Sequence, residues 1–141
     1  MYPDSRGTGQ TVPALADLRI LLVEDSVLLQ ARLTEMLAEP GVMRVVGSAA
    51  TELEAKNCID SHAFDVLLVD VALREGSGIG VIAYARARCT GHQPLIIVLT
   101  NYPLPTVRRR CLAAGADFFL DKMREFQKVK PLIAGARPAA D

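Results

Sequence analysis

The chain has 141 residues, half of them hydrophobic, and its 16 basic side chains are matched by 16 acidic ones. That length suits one ordinary domain with its own core and leaves no room for a second folded unit. With no net charge there is no overall field to gather nucleic acid or an anionic membrane, so direct DNA binding is not expected. The charge is nevertheless uneven: up to Tyr84 there are 6 Lys/Arg against 12 Asp/Glu, and from Ala85 onward 10 against 4. Acidic chemistry is expected early in the chain and basic surface late.

No basic-then-apolar N-terminal stretch marks a secretion signal, and no apolar run approaches the ~18 residues of a membrane span. A cytoplasmic protein is expected. Cys58, Cys89 and Cys111 are odd in number and widely spaced, which suits reduced thiols better than disulfides or zinc. His62 and His92 are isolated as well.

In chain order, residues 1–17 are rich in Gly, Pro, Ser and Thr without periodicity and are expected to form a flexible leader. Five short apolar runs follow: Leu18–Glu24, Met43–Ala49, Phe64–Asp70, Pro94–Thr100 and Ala116–Asp121. Three of them are nearly unbroken, as strands covered on both faces require. Between them, helical spacing predicts helices near Val27–Ala38, Thr51–Ser61, Ile79–Arg88, Leu104–Ala114 and Arg124–Ala134. In the first helix Leu29, Leu33, Met36 and Leu37 form one apolar face. Residues 136–141 are expected to be a tail after a domain spanning 18–135. Strands alternating with helices indicate an α/β fold with a parallel sheet.

The third apolar run ends on a carboxylate, Asp70, which would be costly to bury without partners. Doubly wound sheets gather functional groups at the carboxyl ends of their strands. Glu24 and Asp25 follow the first run, Asp70 ends the third, Thr100 ends the fourth and Lys122 follows the fifth. All are therefore expected at one edge. Clustered carboxylates repel, and a hard divalent cation with oxygen ligands relieves this. Mg2+ held by Asp25 and Asp70, with Glu24 nearby through water, would leave places for a phosphate oxygen. The Thr100 hydroxyl and Lys122 ammonium would offset the remaining charge of a phosphoryl group, with Asp70 as its nucleophilic acceptor. Taken singly, these residues have plainer roles: Thr100 as a helix cap, Lys122 as a solvated lysine, Phe118 and Phe119 as core. Ser26 is expected to cap the first helix.

In order along the chain, "LVEDS", "LLVDVAL" with Gly78 eight residues beyond Asp70, "VLTN" and "GADFFLDK" resemble the motifs of receiver domains in bacterial two-component response regulators. The resemblance covers about residues 18–135. It implies a flavodoxin-like five-stranded parallel sheet in order 2-1-3-4-5, working as a phosphoacceptor receiver in phosphorelay signalling. A histidine kinase or histidine phosphotransfer protein would then donate a phosphoryl group to Asp70 with Mg2+ bound. The Ala72 backbone carbonyl would be a further metal ligand. Thr100 would move toward the phosphate, and Phe119 would turn inward into the space it leaves. The face of the fourth helix, fifth strand and fifth helix would change in consequence. That is where receivers usually dimerise or meet partners, and here it carries Arg108–Arg110, Arg124 and Lys128.

The chain departs from the family at three places. Arg74 stands where a Pro is common, and Met123 follows Lys122 where many receivers have a cis Pro, so a trans bond is expected there. After Thr100 the usual small residue is replaced by Asn101 and then Tyr102, whose bulk could slow water and prolong the phosphorylated state. Three rival readings exist. A flavodoxin-like cofactor binder would need a phosphate loop where Glu24 and Asp25 stand. A phosphatase of the haloacid dehalogenase type would need a carboxylate at Ala72. The third, a receiver-fold adaptor working by contacts without phosphorylation, is favoured only by Asn101 and Met123.

Overall fold

A computed structural model describes residues 16–136. Apart from residues 16, 17 and 136, the leader and tail expected from the sequence lie outside that range. Five parallel strands, β1 (Leu18–Val23), β2 (Met43–Ala49), β3 (Val66–Val69), β4 (Leu95–Thr100) and β5 (Phe118–Asp121), make one sheet in the order β2-β1-β3-β4-β5. The expected architecture and strand order are borne out. Helices α1 (Val27–Met36), α2 (Glu52–Ser61), α3 (Gly78–Arg88), α4 (Pro105–Ala114) and α5 (Val129–Gly135) alternate with the strands.

Alternation along each strand divides the core in two. Leu21, Val23, Leu67, Val69, Ile96 and Val98 face α2, α3 and α4, packing with Ile59, Ile82 and Cys111. Ile20, Leu22, Leu68, Ile97 and Leu99 face α1 and α5, packing with Leu33, Leu37, Val129 and Ile133. Leu29 and Met36 are only partly buried at the margin of this second core. Because both faces are covered, the central strands read as unbroken apolar runs rather than alternating ones.

Helix starts follow from capping chemistry. The Ser26 hydroxyl accepts the Leu29 N–H, as expected, and Thr51 accepts from Glu54 while the Glu54 carboxylate accepts the Ala50 N–H. Ser77 caps α3, and Pro105 stands at the start of α4, where a missing N–H costs nothing. Gly115 ends α4 at φ 121°.

The last helix begins later than its sequence pattern suggested, at Val129 rather than Arg124, after a 3₁₀ turn over Phe126–Lys128. Local hydrogen bonds hold the intervening segment out of the helix. Asp121 Oδ1 accepts the N–H groups of Met123 and Arg124, and Glu125 Oε1 accepts the Asp121 N–H.

Candidate functional site

The carboxyl ends of β1, β3, β4 and β5 meet in one pocket lined by Glu24, Asp25, Asp70, Ala72, Tyr102 and Lys122, among others. The sheet ladder sets the positions of the acidic residues. Glu24 N–H donates to the Ala49 carbonyl at 2.9 Å, and Asp70 N–H to the Val23 carbonyl at 3.0 Å. Both residues therefore continue the strands, and both are buried; Asp25 is half-buried.

Lys122 is the site's counter-charge. Its Nζ donates to Asp70 Oδ2 at 2.8 Å and to Glu24 Oε1 at 2.9 Å. Burial by itself would lower the lysine pKa, but the hydrogen bonds and charges of Asp70 and Glu24 outweigh it and raise the value above the ordinary one. The Lys122–Met123 peptide is trans, as expected, and the lysine reaches both carboxylates nonetheless. Its N–H is fixed by the Thr100 carbonyl at 2.8 Å.

The remaining valences are satisfied locally. Glu24 Oε2 accepts the Ser26 N–H at 2.9 Å, and Asp70 Oδ1 accepts the Ala72 N–H at 3.1 Å. The first is a contact that the sequence motif alone did not reveal, although the acidic residue two places before a capping Ser was its signal. Gly78 packs directly against the chain leaving β3: a Cβ there would overlap the Asp70 carbonyl and the Val71 Cα. Its N–H donates to the Val71 carbonyl at 2.9 Å.

One carboxylate oxygen each from Glu24, Asp25 and Asp70 can be chosen so that all three lie within 4.8 Å of one another. Three acidic groups against one ammonium, all of them hard oxygen donors open to a pocket, fit a hydrated divalent cation such as Mg2+. Thr100, at the end of β4, is fully buried, and its hydroxyl oxygen accepts the Tyr102 N–H at 3.2 Å. Phe119 is already turned inward at 8% exposure, with the Arg108 guanidinium 6.0 Å from its ring, whereas Phe118 is exposed. Arg108–Arg110, Arg124 and Lys128 lie on α4 and the segment before α5, and all five are exposed.

A doubly wound 2-1-3-4-5 sheet with a carboxylate pocket and a paired lysine at its carboxyl edge defines a flavodoxin-like fold in which Glu24 and Asp25 stand after β1, where a nucleotide binder would place a glycine-rich phosphate loop. The family model for the response regulator receiver domain matches residues 20–134, and the chain belongs to that family, the receivers of two-component systems. The transcriptional regulatory protein PdtaR of Mycobacterium tuberculosis is 30% identical over 128 residues, covering 89% of this chain and 60% of PdtaR. The chain thus spans less than two thirds of the length of that curated relative. The non-phosphorylated HemR receiver domain of Leptospira biflexa is 30% identical, with a TM-score of 0.71 over 87% of this chain and 99% of that one. The response regulator domain of Thermotoga maritima CheB shares the fold at a TM-score of 0.70 and 22% identity, covering 87% of this chain and all (100%) of its own. Among the described residues no helix is long and apolar enough to cross a membrane.

Proposed function

We propose that this receiver is a phosphoacceptor switch, in which Asp70 takes a phosphoryl group from a phosphohistidine on a histidine kinase or histidine phosphotransfer protein. The observation that carries this reading is the pairing of buried Asp70 with Lys122 at 2.8 Å inside the pocket it shares with Glu24 and Asp25. A carboxylate oxygen of Asp70 attacks phosphorus. The new P–O bond forms as the P–N bond breaks, and the bonding electron pair leaves with the imidazole nitrogen. Because Asp70 reacts as the carboxylate, no proton has to be taken from it.

Lys122 then moves its hydrogen bond from Asp70 to a phosphoryl oxygen while keeping Glu24, and the Thr100 hydroxyl donates to another. Asp25, Asp70 and the Ala72 carbonyl would hold Mg2+, with Glu24 reaching it through water, and the ion would offset the charge of the phosphoryl oxygens. As Thr100 shifts, the packing of Phe119 under Arg108 changes, and so does the α4–β5–α5 face. That basic face is the surface offered to a second copy of the chain or to a downstream protein.

The test is intact-protein mass after incubation with acetyl phosphate, for the wild type and Asp70→Asn. The expected result is a gain of one phosphoryl group that requires both Mg2+ and Asp70. Folded protein that gains none, from acetyl phosphate or from a histidine kinase, would replace this reading with that of an adaptor acting through contacts alone.

A further inference from the structure

The loop between β3 and α3 leaves Asp70 and is held from the side by Glu52, the first residue of α2. The Glu52 N–H donates to the Glu75 carbonyl at 3.0 Å, and its Oε1 accepts the Ser77 N–H at 2.9 Å. Its Oε2 pairs with Lys56 one turn on, at 3.0 Å, which steadies the carboxylate. The Ser77 hydrogen bond and then Lys56 draw the Glu52 pKa below the ordinary range. The chain opposite is cut to fit this side chain. A Cβ at Gly76 would overlap the Glu52 Cβ, and one at Gly80 would overlap its carboxylate.

The grip continues to the acidic pocket through the loop itself. Ser77 forms an antiparallel bridge with Ala72. Ala72 donates its N–H to Asp70 Oδ1 at 3.1 Å and lines the pocket. We propose that Glu52 is a positioning residue for this site: by holding Ser77 it fixes the Ala72 backbone beside Asp70. The inference rests on the reading of the pocket as a divalent-cation site and deepens it, since the Ala72 carbonyl is one of the groups that would hold the ion. A carboxylate supporting a ligand from outside is expected to set affinity without touching the metal.

The test is calorimetric titration of Mg2+ into the full chain, for the wild type, Glu52→Ala, Glu52→Gln and Gly80→Ala. Amide hydrogen exchange at Ala72 and Gly78, followed by NMR without added metal, accompanies it. Glu52→Ala is expected to weaken Mg2+ binding about tenfold, the lower end for such supporting groups. It should also speed exchange at Ala72 and Gly78 more than at a central-strand amide such as Leu68. Glu52→Gln keeps an oxygen for Ser77 and should remain close to the wild type. Gly80→Ala improves helix propensity yet must push the carboxylate aside. It should therefore weaken Mg2+ in the presence of Glu52 and change nothing further in the Glu52→Ala background.

Unchanged Mg2+ affinity in Glu52→Ala would overturn the proposal, whether or not exchange at the loop quickens. Wild-type protein that binds no Mg2+ would overturn the cation reading of the pocket. The exchange rates at Ala72 would then decide by themselves whether Glu52 fixes that backbone, and unchanged rates would end the proposal.

Discussion

Lys122 holds Asp70 at 2.8 Å across 52 positions of sequence. The same ammonium reaches Glu24 at 2.9 Å, so one cation serves two buried carboxylates and Asp25 stands beside them. Removing one member of such a group leaves like charges with no partner. In Lys122→Met, the unfolding free energy measured in chelator is expected to fall by about 1–3 kcal/mol, less than a fully buried pair costs because the pocket opens to solvent. Added Mg2+ should raise the melting temperature of this variant more than that of the wild type, because binding to the folded state alone stabilises it. Equal gains in the two proteins, read by thermal melts with and without Mg2+, would contradict the assignment of Lys122 as the counter-charge.

Tyr102 is 66% exposed at the rim of the acidic pocket, its N–H donating to the Thr100 hydroxyl at 3.2 Å and its carbonyl accepting the Leu104 N–H at 2.8 Å. With Asp70 phosphorylated as proposed, a ring at this rim would obstruct the approach of water. Phosphate loss from Tyr102→Ala is expected to be several-fold faster, timed by intact mass after the donor is removed. An unchanged half-life would show that the ring only covers the loop.

Gly78 lies against the backbone of Asp70 and Val71, and neither of those groups can yield as a flexible side chain could. Gly78→Ala is expected to cost about 1–3 kcal/mol in urea unfolding, the range for forced overpacking. It should also displace Asp70 enough to lower the rate of phosphorylation. A stability equal to the wild type would contradict the close approach.

At the opposite edge of the sheet, Asp65 clamps the start of β1. Its Oδ2 accepts the Arg19 N–H at 2.8 Å and the Nε at 3.1 Å, and its Oδ1 accepts Nη2 at 3.1 Å. Burial alone would raise the Asp65 pKa, but the Arg19 hydrogen bonds and charge outweigh it and hold the value below the ordinary one. A depressed folded value means the stabilisation is present above the unfolded pKa, near 4, and is lost as the pH falls through the folded pKa. Asp65→Asn is therefore expected to lose about 1 kcal/mol at neutral pH. Its stability should also decline less steeply below about pH 4. Parallel acid profiles for the two proteins would refute this.

The central strands were legible because β1, β3 and β4 are covered on both faces and so read as unbroken apolar runs ending on Glu24, Asp70 and Thr100. The acidic edge followed from the strand order, since the carboxyl ends of parallel strands share one side. What the sequence hid depends on contacts between distant positions. In the sequence Glu52 is one acidic residue among others near a predicted helix start; its meaning lies in the room left for it by Gly76 and Gly80. The delayed start of α5 was hidden for a related reason, because Asp121 and Glu125 turn the chain with side-chain hydrogen bonds that a helical pattern of apolar residues cannot register. Phe119 could be assigned to the core by type, but not its place under Arg108.

The most direct test of the central claim is chemical trapping of the acyl phosphate. Protein treated with acetyl phosphate and Mg2+ is reduced with borohydride, which converts a phosphorylated aspartate to homoserine, and its peptides are sequenced by mass spectrometry. Homoserine at position 70, dependent on the phosphodonor, is the expected result. Homoserine at Asp25 or elsewhere instead, or none in protein shown to carry phosphate, would contradict Asp70 as the acceptor.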